Sequence, residues 1–378
     1  MEFYLKHFDV NVLHFSATMD TSSPDIEILW QSEEAWRLPL DLDVKNLSSW
    51  LRRRTIPKNR AFVHELLAKQ GLSLNRPMGI LLACKGLSLN DCYWVTTVDD
   101  TATFAQVNLY ANNLSRVLAQ VAFTGYGSQE RPSLASSPEF TTDGMLPKCW
   151  RRQSGVVSLW KGATTGASNT GYEPYSEFYA AQIADAMGFD VVQYNLSKWK
   201  GQLCSTCPLF TSQDRAFIPV GRLVTSGGLG AVKTYYATLG ETFTHALEDM
   251  LVLDALICNT DRHFGNFGVL VDTQTNQIVA PAPLFDHGNA LFNFARGEYW
   301  ESTESLDKYI ATLYPNVYDD FLGTAKEVLR PDHHKGLRKL LTFQFKKHPA
   351  YNLPTKRLKA IEKQIQKRAS VLLESNET

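Results

Sequence analysis

Apolar residues recur at two different spacings along this chain, and the switches between them mark out three zones. In the first, Pro57 precedes Phe62, Val63, Leu66 and Leu67, which predicts a helix that starts near the proline, carries one apolar stripe and stops at Gly71. Residues 93–98 alternate with a period of two, the mark of a strand. From 124 to 142 the chain turns to Gly, Ser, Pro and Thr, the profile of a linker or loop.

The second zone, about 144–224, reads strand, helix, strand, strand. A β-rich run over 156–160 ends at Lys161, and a helix over 175–187 is closed by Gly188. Two strands, 191–199 and 204–210, pair around Lys200-Gly201. The third zone is helical. Residues 242–258 carry Phe243, Leu247, Met250, Leu251, Leu253 and Leu256, as a buried helix does, and short strands follow at 267–271 and 277–280. Helices dominate from 306 onward. The last, 356–373, sets Leu358, Ile361, Ile365 and Leu372 on one side with Lys and Arg elsewhere.

At 378 residues the chain has room for two or three domains, and 44% hydrophobic with 20% charged residues is an ordinary globular balance. A formal charge of −1 supplies no global field for nucleic acid. Six scattered cysteines suit a reducing compartment, the amino terminus lacks signal-peptide character, and no apolar run approaches a membrane span. The expectation is a soluble, cytoplasmic protein without a membrane partner.

The segment Asn259-Thr260-Asp261-Arg262-His263-Phe264-Gly265-Asn266, followed by Asp286-His287-Gly288, carries the candidate chemistry. A carboxylate at Asp261 can orient or deprotonate an accepting hydroxyl, while the Asn266 amide and the Asp286 carboxylate can hold Mg²⁺ on ATP phosphates. Phosphoryl transfer needs mainly positioning and charge neutralisation, so few residues suffice. Upstream, Asp143-Gly144 opens a loop whose backbone N–H groups can approach phosphate, with Lys148 adding charge. Lys161 can meet the ATP phosphates and pair with Glu177, which heads an apolar helix. A surface lysine and a surface glutamate are the plainer alternative. The Gly166–Gly171 spacing is not a Walker A loop, because Tyr172-Glu173 stands where Lys and Ser or Thr are required.

In this order, the segments resemble the HipA-like serine/threonine kinases. Residues 257–268 look like that family's catalytic loop and Ala282-Pro283-Leu284-Phe285-Asp286 like its metal-binding segment, with a looser likeness over about 141–340. The resemblance implies an α+β, two-lobed protein-kinase-like fold with a mixed α/β amino-terminal extension and a mainly helical C-lobe. It divides the chain into an accessory domain (1–125), an N-lobe (126–215) and a C-lobe (216–378). It implies ATP and Mg²⁺ as cofactors and a protein substrate with a Ser or Thr acceptor. Asp261 would be catalytic together with Asn266; Asn266 and Asp286 would bind metal; Gly144, Lys148, Lys161 and Glu177 would serve the nucleotide. Thr141 aligns with a loop serine that family members autophosphorylate, and keeps its hydroxyl. The first hundred residues match no toxin-type subdomain, which leaves an antitoxin or DNA-associated partner open. A lipid or small-metabolite kinase, or a catalytically weak DNA-associated module, are the alternatives.

Other features point elsewhere. Cys204-Ser205-Thr206-Cys207 has metal-ligand spacing without a second pair, and reads better as strand residues. Ser226-Gly227-Gly228-Leu229-Gly230 reads as a flexible connection, and His263 as a residue that packs and hydrogen-bonds to hold its loop. Arg52-Arg53-Arg54 with Lys58 and Arg60 forms one basic cluster. Residues 331–378, with eleven Lys or Arg against four Asp or Glu, form another. Both are candidate contacts for an acidic partner, phosphate or nucleic acid, and a solvated face is the alternative.

Overall fold

The computed structural model describes residues 1–127 and 137–374. Its strands are β1 (Glu2–His7), β2 (Val10–Ala17), β3 (Ile26–Gln31), β4 (Tyr93–Thr97), β5 (Lys148–Gln153), β6 (Val156–Lys161), β7 (Asn195–Trp199), β8 (Gln202–Pro208), β9 (Arg215–Pro219), β10 (Gly268–Asp272) and β11 (Gln277–Pro281). Short helices α1 (Leu47–Arg52), α2 (Val63–Lys69), α3 (Pro77–Cys84), α4 (Phe104–Val107) and α5 (Arg116–Thr124) precede β5. After β6 come α6 (Glu173–Met187), α7 (Val220–Leu223), α8 (Gly228–Leu239), α9 (Glu241–Ile257), α10 (Thr303–Ile310), α11 (Phe321–Glu327), α12 (Pro331–Leu340) and α13 (Thr355–Glu374). The mixed α/β composition, strands early and helices late, agrees with the expected fold class. The middle of the expected linker, 128–136, lies outside the described residues.

Two compact units emerge. The first joins Met1–Lys161 to Pro208–Ile218 and Leu270–Val279; the second comprises Gly162–Cys207, Pro219–Val269 and Ala280–Thr378. In the first, β3-β2-β1-β4 form an antiparallel sheet. Its inner face buries Phe3, Leu5, Leu13 and Phe15 against Trp50 and Leu51 of α1 and Met78 and Leu81 of α3. The strand β4 matches the alternation read at 93–98. Two distant segments join this unit through hydrogen bonds: the side chain of Asn276, in a left-handed turn at φ 55°, donates to the carbonyls of Trp36 (2.7 Å) and Leu38 (2.6 Å). Phe217 N–H donates to Asn90 O at 2.8 Å.

Two expectations for this region are corrected. The helix after Pro57 begins six residues later, at Val63, because residues 57–60 form a turn closed by Arg60 N–H on Pro57 O. The first basic cluster is a surface patch only in part, with Arg52, Arg53 and Lys58 exposed. Arg54 is buried, forks onto Asp91 at 2.9 and 2.5 Å and stacks on Trp50, while the Arg60 side chain is fully buried against Glu139. A buried guanidinium needs a carboxylate and carbonyls around it, which removes both from any external partner.

In the second unit, α6 ends on Gly188 at φ 86°, whose N–H caps Ala184 and Asp185, and the β7–β8 hairpin turns on Lys200 and Gly201, both left-handed. The run at 226–230 is a helix start, not a flexible connection: α8 begins at Gly228 behind Gly227 at φ 87°. Cys204 and Cys207 are three apart on β8 and so face opposite sides, and none of the six cysteines is in a disulfide. The carboxyl-terminal cluster is partly internal too. Arg357 lies between the rings of Tyr172 and Trp300, and Arg368 donates to Ala255 O. Among the described residues, no helix is long and apolar enough to cross a membrane.

Candidate active site

The helix α9 is buried over its last two turns, and Cys258 ends it in the left-handed conformation at φ 50°. The chain therefore leaves sharply into the loop that holds Asp261. Asn259 supports the exit: its side-chain oxygen accepts from Asp261 N–H (3.2 Å) and its amide donates to Asp254 (3.3 Å). Asn266 donates its side-chain amide to the Asp261 carbonyl at 3.3 Å, which closes the loop and leaves the amide oxygen as its end for a cation. His263 is exposed and accepts from Gly265 N–H at 3.0 Å, so it braces the turn by hydrogen bonding without packing inside.

Arg262 organises what surrounds this loop, and sequence reasoning assigned it no role. Its side chain is fully buried. Nε and Nη2 fork onto the two oxygens of Asp254 (2.9 and 3.0 Å), Nη1 donates to Asn266 O (3.0 Å) and Phe285 O (2.6 Å), and Nη2 reaches His287 Nδ1 (3.2 Å). All five N–H bonds are thereby used, and His287 must accept through Nδ1 with its proton on Nε2. Burial opposes the charge on Arg262, but the charge and hydrogen bonds of Asp254, with Asp286 and Tyr318, together hold the guanidinium above its ordinary value; burial pushes the Asp254 carboxyl up against the pull of Arg262. One side chain thus links α9, the Asp261–Asn266 loop and the Asp286 segment.

Asp286 itself sits at φ 58°, an uncommon conformation for a non-glycine residue, and its N–H donates to the Tyr194 hydroxyl at 3.0 Å. Burial and then Glu177 raise the Tyr194 phenol well above its ordinary range, so it stays a neutral partner. Glu177, fully buried on α6, accepts from His287 N–H at 3.1 Å. Ser176 beside it donates to Ala290 O at 2.9 Å. The helix that carries Glu177 therefore also fixes the backbone just after Asp286. Asn289 is a second residue that sequence reasoning missed: its amide donates to Asp261 Oδ2 (3.0 Å), and its carbonyl accepts from the Thr260 N–H and hydroxyl (3.2 and 3.3 Å). The available signal was its place three residues after Asp286.

The remaining site residues lie in the first unit. Gly144 has φ 94°, where a larger residue is strained, and a Cβ there would also displace the Lys148 ammonium. Lys148 Nζ donates to Asp143 O at 2.7 Å. Lys148 and Lys161 stand directly opposite in the β5–β6 register, both buried, which concentrates positive charge beside the loop. Thr141 donates its hydroxyl to Leu87 O at 2.7 Å. Among the described residues there is no cluster of three or more His, Cys, Asp or Glu able to enclose a metal. An amide oxygen and one carboxylate fit Mg²⁺, which commonly takes one or two protein ligands and completes its shell with phosphates and water.

No family model matches the chain. It is 26% identical over 155 residues to the serine/threonine-protein kinase CtkA of Helicobacter pylori, a match that spans 37% of this chain and 47% of that relative's length, so about half of the relative has a counterpart here. The crystal structure of a Helicobacter pylori proinflammatory kinase CtkA aligns with a TM-score of 0.48 and 18% identity, over 61% of this chain and 89% of that one. The HipA of Shewanella oneidensis MR-1, solved with HipB and operator DNA as a toxin–antitoxin system, aligns over 100% of this chain and 99% of that one, with a TM-score of 0.55 and 11% identity.

Proposed function

The chain has the HipA-like kinase fold, and from that premise we propose that it is a serine/threonine protein kinase that transfers the γ-phosphate of Mg-ATP to a protein hydroxyl. The observation that carries the reading is the knot at Arg262, which holds the Asp261–Asn266 loop and the Asp286 segment to one another through Asn266 O, Phe285 O and His287. Asp261 orients the acceptor hydroxyl and takes its proton, with Asn289 keeping the carboxylate in place. Asn266 and Asp286 would hold Mg²⁺, which when bound neutralises charge on the phosphates. Gly144, Lys148 and Lys161 receive the phosphates, and Glu177 steadies the Asp286 segment. In this scheme 1–125 is an accessory domain, 126–215 the N-lobe and 216–378 the C-lobe. Thr141 is the autophosphorylation site in this reading. The HipB and DNA of the Shewanella complex make an antitoxin or DNA-associated partner a proposal for this chain as well.

Incubation with labelled Mg-ATP, followed by intact mass and peptide mapping, tests the reading. Wild-type protein is expected to label protein hydroxyls, Thr141 among them. Asp261→Asn is expected to lose transfer by roughly 10²–10⁴-fold while nucleotide binding is retained. Full turnover in a folded Asp261→Asn protein removes Asp261 from the chemistry, and label found only in lipid or metabolite pools redirects the assignment to a small-molecule kinase.

A further inference from the structure

We propose that Arg60 is a positioning residue for the Gly144 loop, so that the amino-terminal segment sets nucleotide affinity through one guanidinium. The inference rests on the phosphate-binding reading of that loop. Arg60 Nη1 donates to Thr142 O at 2.7 Å, at the loop's start, and Nη2 donates to Lys148 O at 3.0 Å, at its end. Nη2 also meets Glu139 at 2.5 Å, and the other Glu139 oxygen accepts from Trp150 N–H at 2.8 Å, just past the loop. The side chain is fully buried, and its partners lie 79 to 88 residues away in sequence.

What Arg60 grips are the two carbonyls between which the loop is strung, rather than another element's core. Within that frame the loop is tightly specified. Trp150 Nε1 donates to the Thr142 hydroxyl at 3.0 Å, the hydroxyl donates to Pro138 O at 2.6 Å, and Lys148 crosses above Gly144 to Asp143 O. A second tie comes from the same amino-terminal segment, Thr141 Oγ1 to Leu87 O. Backbone N–H groups bind phosphate well only when their directions are set beforehand, since ordering a loop at binding subtracts from affinity. A planar guanidinium can bridge acceptors on both sides of a loop, whereas an ammonium on a flexible stem cannot hold them in one plane. The rest of the Arg52–Arg60 cluster has no comparable contact with this loop among the described hydrogen bonds.

The test uses the full chain and the variants Arg60→Lys and the double Arg60→Met/Glu139→Gln, which leaves no uncompensated charge in the core. The double variant is expected to raise KM for ATP about tenfold while kcat falls less than about threefold, the pattern of lost binding rather than lost active protein. Arg60→Lys is expected to fall between it and wild type. Hydrogen exchange over 140–150 without nucleotide is expected to speed up in the double variant and leave α9 protected. A folded double variant with unchanged KM overturns the proposal, as does loss confined to kcat with a falling melting temperature, which marks a merely structural arginine. Absence of ATP-dependent transfer by the wild-type protein instead defeats the kinase reading. Exchange over 140–150 still reports on the clamp in that case, and unchanged exchange overturns it.

Discussion

Arg262 and Arg60 are both fully buried arginines that hold loop carbonyls beside a carboxylate, yet they differ in reach and in balance. Arg262 lies inside the motif it organises, eight residues from Asp254, and spends all five N–H bonds. Arg60 reaches across 79 or more residues, and its Nε finds no acceptor among the described residues. Their electrostatics follow. Asp254, Asp286 and Tyr318 together hold Arg262 above its ordinary value against burial, whereas burial wins at Arg60 and lowers it. At Glu139 burial raises the carboxyl to about 7 against the pull of Arg60. The difference teaches where each region is rigid. The Asp261 region carries its own saturated brace, and the Gly144 loop depends on a remote, less satisfied one.

The comparison breaks most readily at Arg262. Arg262→Gln leaves Asp254 charged and unpaired in the core and is expected to cost roughly 3–5 kcal/mol of stability, read by urea denaturation. The double variant Arg262→Met/Asp254→Leu is expected to recover much of that stability while transfer stays lost, since Asn266 O and Phe285 O lose their shared donor. Transfer at the wild-type rate in that double variant would take the knot out of the site.

A smaller effect is expected at Asn289. Asn289→Ala removes the amide on Asp261 Oδ2 and is expected to lower kcat roughly 10–100-fold with the melting temperature nearly unchanged. A change under about twofold, in a kinetic assay on folded protein, means that Asp261 keeps its position without Asn289.

The smallest effect is in pH. The folded state raises Glu139 from 4.5 to about 7, so the unfolded chain releases that proton first and folding favours the protonated form. The contribution is complete below the unfolded pKa of 4.5 and is lost as pH rises through about 7. Denaturation midpoints across that window should fall with pH for wild type and flatten for Glu139→Gln. Parallel curves would place Glu139 in an ordinary, solvated state.

Much of the secondary structure was legible because it rests on local period and punctuation. The helix of Glu177, its Gly188 stop, the β7–β8 hairpin and the long α9 all follow from apolar spacing and left-handed glycines. The errors arise where a distant partner overrides local preference. Pro57 predicts a helix start, but Arg60 is drawn into the Glu139 pair and the chain turns before α2 can begin. Arg54 and Arg60 read as part of a basic surface until Asp91 and Glu139 arrive from elsewhere in the chain.

The motif residues Asp261, Asn266, Asp286 and Gly144 were named from sequence because phosphoryl transfer demands particular side chains at short spacing, and spacing is a one-dimensional property. The residues that hold them in place, Arg262 with Asp254, Asn289 beside Asp261, and Arg60 across the ends of the Gly144 loop, emerge only in three dimensions. Their value lies in hydrogen-bond direction and exclusion from water, and both depend on which distant backbone atoms the fold brings within 3 Å or so. Sequence determined which groups are the candidates for chemistry; tertiary structure decided what keeps each of them still.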